Sequence, residues 1–102
     1  MIHVIAIITT HPGQRDKVLD AFRANVPAVR AEAGCIEYAA AVDLTDGPAF
    51  QAPCGPECFM VIEKWESLDA LKAHSAAAHM QAYGAKTRDM VANRAIHILQ
   101  PA

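Results

Sequence analysis

No glycine-rich phosphate loop stands anywhere in these 102 residues. The five glycines never fall into G-x-G-x-x-G or G-x-x-x-x-G-K, and no G-x-S-x-G elbow presents a serine nucleophile. Dinucleotide, P-loop and serine-hydrolase chemistry therefore have no starting point, and no built-in redox-cofactor site is visible. Positive charge is scarce as well. Nine Lys and Arg face eleven Asp and Glu for a net charge of -2, and no stretch gathers the basic residues on one face, so nucleic acid is not an expected partner. No apolar run approaches the ~20 residues of a membrane span. Met1-Ile2-His3-Val4 passes straight into strand-like sequence without the basic start of a signal peptide, and a cytoplasmic location is expected. Cysteine is limited to Cys35, Cys54 and Cys58, an odd number that argues against a disulfide framework. Cys54-Gly-Pro-Glu-Cys58 supplies half a zinc tetrahedron with no second pair at the usual spacing, so incidental loop thiols are set against a metal or redox role.

Apolar residues, by contrast, are in excess. They make up 53% of the chain, and counting the five glycines in place of the two tyrosines lifts the fraction further above the usual ~45–50%. At this length one core is the limit, and a single domain over residues 1–102 is expected. Ile2 to Thr10 is apolar on both alternate sets, the pattern of a strand buried on both sides. After His11-Pro12-Gly13, the residues Val18, Leu19, Phe22, Val26 and Val29 recur at helical spacing to about Glu32, with Pro27 expected to kink the helix. Ala33-Gly34 ends it, and Cys35 to Asp43 reads as a second strand. Leu44 to Glu57 carries Gly47-Pro48, Pro53 and Gly55-Pro56, which only a loop, edge arm or lid tolerates.

Cys58 to Glu66 is a third strand, with Phe59, Val61, Glu63 and Trp65 on one face and Met60 and Ile62 on the other. Ser67 can cap a following helix that continues to Met90 and Val91, with a bend near Ala76 to Ala78, and Arg94 to Leu99 is a last strand. The order β-α-β-β-α-β predicts an α+β, ferredoxin-like fold with both helices on one sheet face. The other face is too apolar to be left to water, and a second copy of the chain is its expected cover.

Two of the five histidines, His74 and His79, lie on the helix that follows Glu63-Lys-Trp65-Glu66-Ser67. Five residues turn a helix by ~500° and leave the side chains ~140° apart, a poor spacing for one shared metal unless the bend intervenes. No metal site is expected. Histidine is the side chain whose proton equilibrium lies nearest physiological pH, which suits it to deprotonating a weakly acidic hydroxyl; the plainer reading is a half-buried, hydrogen-bonded histidine. Trp65 on the same strand face as Glu63 reads by default as core or interface. Glu63 is the odder residue, because an unpaired buried carboxylate is costly, and it is expected to hold a histidine or pair with an arginine. A pocket between sheet and helices, lined by His, Trp, Met and Tyr, would suit a flat apolar ligand.

Val4-Ile-Ala, Pro12-Gly-Gln, Gly34-Cys, Glu63-Lys-Trp-Glu-Ser, Ala73-His, His79-Met-Gln-Ala-Tyr and Ile98-Leu-Gln-Pro together resemble the antibiotic biosynthesis monooxygenase family. Within it the chain is most similar to the bacterial quinol monooxygenase branch, through Tyr38-Ala, Val42-Asp, Phe50-Gln and the stretch from Trp65-Glu-Ser to His79-Met. The resemblance implies a dimeric α/β barrel and a cofactor-independent oxygenase or oxidase of quinols, or similar electron-rich hydroxyaromatics, that uses O₂. It implies His74 as the base, backed by Glu63 or His79, with Trp65, Tyr38, Met60, Met80 and Tyr83 as pocket wall. The haem-degrading branch relies on an Asn, a Trp and a His where this chain has Ala6, His74 and Gly84, so haem degradation is a weak alternative. The Thr-Pro that often precedes the second histidine is Ala77-Ala78 here, which puts the helix break in question. Another possibility is a non-catalytic small-ligand-binding or stress-response dimer on the same fold.

Overall fold

Every apolar stretch read from the sequence becomes one element except the helix after Ser67, which divides in two. The computed structural model describes residues 1–102. In chain order the elements are β1 (Ile2–Thr10), α1 (Arg15–Arg30), β2 (Cys35–Ala41), β3 (Cys58–Trp65), α2 (Leu68–Ala76), α3 (Ala78–Thr87), a 3₁₀ turn at Arg88–Met90, and β4 (Val91–Leu99). The strands pair antiparallel in the order β2-β3-β1-β4, giving an open, ferredoxin-like sheet. No helix is long and apolar enough to cross a membrane.

Strand periodicity decides which residues face the helices. Val4 and Ala6 of β1 stand opposite Glu63 and Val61 of β3, and all four are buried on the helix side with Phe59 and Trp65. Val18, Leu19, Phe22 and Val29 of α1 bring their helical stripe onto this layer, and Leu71 of α2 joins them. Full burial of Phe59 alone contributes about 1.5–3 kcal/mol. β4 is an edge strand that the helices leave open: Ile96 and Ile98, across from Ala6 and Val4, are both more than half exposed.

Several expectations need correction. The second helix does not run on to Val91. It breaks at Ala77, whose backbone is extended (φ −63°, ψ 143°), resumes as α3, and ends at Thr87, so Val91 belongs to β4. The break forms at Ala77-Ala78 without a proline, because Ala77 N–H turns back onto His74 O (3.1 Å) while Ala77 O accepts from Met80 and Gln81. Pro27 leaves α1 hydrogen-bonded beyond it, with Ala31 N–H donating to Pro27 O (3.2 Å). It sits in the last turn, where little helix follows to be disturbed.

The expectation against a disulfide is also overturned, since Cys54 and Cys58 are bonded to each other. Gly55 supplies a positive φ (109°) between them, and their Cα atoms lie 5.6 Å apart, within disulfide reach. Cys35 remains a free thiol, pushed up in pKa by burial. The loop that carries the disulfide is held at its root. Asp43 accepts from Cys54 N–H (2.8 Å) and Gly55 N–H (2.9 Å), which lowers its pKa, and Arg15 donates to the carbonyls of Gly55 and Cys58.

Candidate active site

The break at Ala77 is what assembles the site. His74 ends its turn of α2 buried beneath the sheet side of the helix layer, and His79 starts α3 after the chain has changed direction. Both imidazoles consequently reach the same carboxylate, Glu32, which sits just beyond α1. His74 Nδ1 lies 2.7 Å from Glu32 Oε2, and His79 Nε2 lies 3.4 Å from that same oxygen. The second contact is within ion-pair distance but lacks hydrogen-bond geometry, leaving His79 Nε2 buried and without a hydrogen-bond partner. The spacing objection to His74 and His79 acting together applies to one continuous helix and does not hold here.

Glu32 was not among the residues picked out from the sequence. Its only signal was its place beside Ala33-Gly34 at the end of the α1 pattern. Gly34 has φ +84°, and a Cβ there would come within 2.6 Å of Ala70 Cβ on α2. The lack of a side chain at Gly34 lets the α1–β2 turn press against α2, and that contact delivers Glu32 to His74. Glu66 N–H donating to Gly34 O (2.8 Å) fastens the same turn from the β3 side.

Glu63 has a different partner from either one expected. Its Oε1 accepts from Trp65 Nε1–H at 2.8 Å, a pairing on one strand face that answers its burial. Burial still pushes its pKa up, with the Trp65 hydrogen bond and the charge of His74 opposing. Trp65 is fully buried, and its ring lies 4.6 Å from the His74 ring, so it forms a floor under the imidazole. Tyr38 packs edge-on against His74 (5.4 Å) and stacks on Phe22 (5.0 Å). Burial, with the Glu63 charge second, holds the Tyr38 hydroxyl protonated far above its ordinary range, and burial raises Tyr83 as well.

A cavity of about 830 Å³ opens between β1, β4 and the helices. His74, Tyr38, Glu63, Met80 and Tyr83 line it, together with Ile96 and Ile98 of the open edge. His74 Nδ1 is engaged by Glu32 and Nε2 makes no hydrogen bond, so Nε2 is the ring nitrogen left free on a residue that lines this space. Three residues named from the sequence are not wall. Met60 pairs with Ile7 and Ala41 on the opposite sheet face, as its position one residue from Phe59 dictates. Trp65 and His79 stand behind His74 rather than beside the cavity. No residue of the loop from 42 to 57 lines it either, so that loop is not its lid. Ala6 and Gly84 both line the cavity.

The arrangement is that of an oriented base. A carboxylate accepting Nδ1–H selects the His74 tautomer that leaves the Nε2 lone pair free, on a residue bordering a mostly apolar chamber where a proton donor could be bound. The three ligand atoms of Glu32, His74 and His79, all within 4.8 Å of one another, could alternatively hold a cation.

Comparison with known proteins agrees with this architecture. Residues 1–86 match the family model described as antibiotic biosynthesis monooxygenase. The chain is 45% identical over 103 aligned positions to "Probable quinol monooxygenase YgiN" of Escherichia coli (strain K12), covering 99% of this chain and 98% of that one. Among solved structures, PA3566 from Pseudomonas aeruginosa superposes with a TM-score of 0.81 at 29% identity, covering 99% of this chain and 93% of the other. A crystal structure described as an antibiotic biosynthesis monooxygenase gives a TM-score of 0.81 at 26% identity, covering 100% and 99%.

Proposed function

Because the chain belongs to the antibiotic biosynthesis monooxygenase family, we propose that it oxygenates quinols or similar electron-rich hydroxyaromatics with O₂, using His74 as general base. The observation that carries this reading is the Glu32–His74 contact at 2.7 Å behind an open cavity. The similar Escherichia coli protein, described as a probable quinol monooxygenase, supports the substrate class.

In this reading the hydroquinone lies in the chamber with one hydroxyl against His74 Nε2. The base takes the hydroxyl proton, and Glu32 stabilises the resulting imidazolium. The quinolate passes one electron to O₂, and the semiquinone and superoxide combine at a ring carbon as a hydroperoxide. Loss of water leaves a hydroxyquinone, so that one quinol and one O₂ give one hydroxyquinone and one H₂O. Apolar walls keep water from the radical pair before it combines. Trp65 and Tyr38 hold the imidazole in place, while Met80 and Tyr83 border the bound ring. A homodimer belongs to the same proposal. Ile96 and Ile98 on the edge strand, with Ile62 and Leu99 on the bare sheet face, are apolar surface that a second copy would cover.

Oxygen uptake with reduced menadione tests the reaction. Purified protein should consume O₂ well above the buffer rate, place one atom from ¹⁸O₂ in the quinone product, and lose most of the gain in His74→Ala. A rate equal to buffer overturns the proposal. Quinone binding that quenches Trp65 fluorescence without turnover would make the chain a binding protein instead. Sedimentation equilibrium checks the dimer, and a monomer at micromolar concentration would refute it.

A further inference from the structure

We infer that Glu32, His74 and His79 form a binding site for a divalent transition-metal ion of the zinc class, and that occupancy of this site switches His74 off as a base. The second half rests on the function proposed above; the first does not.

Two imidazole nitrogens and one carboxylate oxygen are a donor set suited to Zn²⁺, Co²⁺ or Ni²⁺. Around a tetrahedral ion with bonds of about 2.0–2.1 Å, neighbouring ligand atoms lie ~3.3 Å apart. The donors here are spaced 2.7 and 3.4 Å from the shared Oε2 and all fall within 4.8 Å, so small side-chain rotations would frame an ion. The observation that points beyond a hydrogen-bonded cluster is His79 Nε2. It is sealed from water, faces the carboxylate, and has no hydrogen-bond partner. A metal ion would satisfy it, whereas the existing geometry does not. The His79 side chain is 31% exposed, which provides a way in from solvent. With three protein donors, a fourth position remains for water.

The switch follows from the two ends of one imidazole ring. Glu32 as hydrogen-bond acceptor keeps the proton on Nδ1 and the lone pair on Nε2. A metal ion at Nδ1 needs that lone pair on Nδ1, and the neutral ring must then carry its proton on Nε2. That nitrogen could no longer accept a proton from a quinol. The ion also withdraws Glu32 from the role of stabilising an imidazolium.

Titration of the purified chain with Zn²⁺ against a chromophoric chelator, and with Co²⁺ followed by visible absorption, tests the site. One ion per chain is expected, with the intense visible bands of tetrahedral Co²⁺. His79→Gln, the substitution of the partly exposed ligand, and Glu32→Gln should each weaken binding at least about tenfold, since even partners one step removed from a metal contribute 10–100-fold. His97→Ala should leave it unchanged. Circular dichroism and urea midpoints of the variants establish that they fold. Absence of stoichiometric binding, or binding that survives both ligand variants, overturns the site. Zinc bound at this site that leaves quinol-dependent O₂ uptake at full rate overturns the switch. Zinc binding in a protein without quinol activity would sustain the site while refuting the function proposed above.

Discussion

Glu32 Oε2 and His74 Nδ1 meet at 2.7 Å although 42 residues separate them in sequence, and Gly34 is the reason they can. The contact joins the turn after α1 to the last turn of α2 and leaves Nε2 as the free nitrogen of a residue that lines the cavity.

Glu32 is a positioning residue, and its replacement should separate rate from binding. In Glu32→Gln the amide group can present N–H to Nδ1 and turn the imidazole to the opposite tautomer. We expect kcat with a quinol to fall by about 10²–10⁴ while KM changes little. Glu32→Asp keeps the charge and should recover part of the rate. A purely structural role would lower the stability of both variants alike, which urea unfolding would reveal.

Gly34→Ala should cost stability through two separable effects. A non-glycine residue at φ +84° costs about 1–3 kcal/mol, and the new methyl collides with Ala70. Adding Ala70→Gly should remove the collision and leave the backbone cost. Urea midpoints of the wild type, both single variants and the double variant measure the split, and because the same turn carries Glu32, kcat should follow the collision.

The Glu63–Trp65 pair predicts a pH-dependent stability. Burial raises Glu63 above the ordinary value of 4.5, so the native state favours the protonated acid. The stability this contributes is fully present below pH 4.5 and is lost as the pH rises through the higher native value. Glu63→Gln keeps an acceptor for Trp65 but carries no charge, and should therefore gain on the wild type between pH 4 and 7 by urea unfolding. Trp65→Phe leaves the carboxylate without its donor and should cost about 1–3 kcal/mol beyond the packing change. That excess should shrink when Glu63→Gln is also present.

The Cys54–Cys58 bridge closes a short loop, with a sequence separation of 4. Chain entropy for a closure of that size is worth about 2 kcal/mol. Reduction with dithiothreitol should lower the unfolding free energy, measured by urea titration, by a matching amount. Quinol turnover should not change, because the loop from 42 to 57 does not border the cavity.

The strands and helices were legible because their information is local. Period-two burial in Phe59, Val61, Glu63 and Trp65, and helical recurrence in Val18, Leu19, Phe22 and Val29, each need only neighbours in sequence to be read. The motif from Glu63 to Ser67 and the histidines beyond it carried the family. Met60 shows the limit of resemblance against pattern: its place one residue from Phe59 already put it on the far face. Glu32 was silent because one glutamate near a helix end is among the commonest surface residues, and nothing local marks a partner on another helix.

The sequence by itself determined the element order, the ferredoxin-like sheet and the histidine-bearing helix, since burial pattern and turn residues are written along the chain. Only the tertiary structure decided that His74 and His79 share Glu32, that Glu63 answers Trp65, and that Cys54 and Cys58 are joined. Those choices depend on distances across the fold, set by the break at Ala77, by the close approach over Gly34 and by the turn at Gly55.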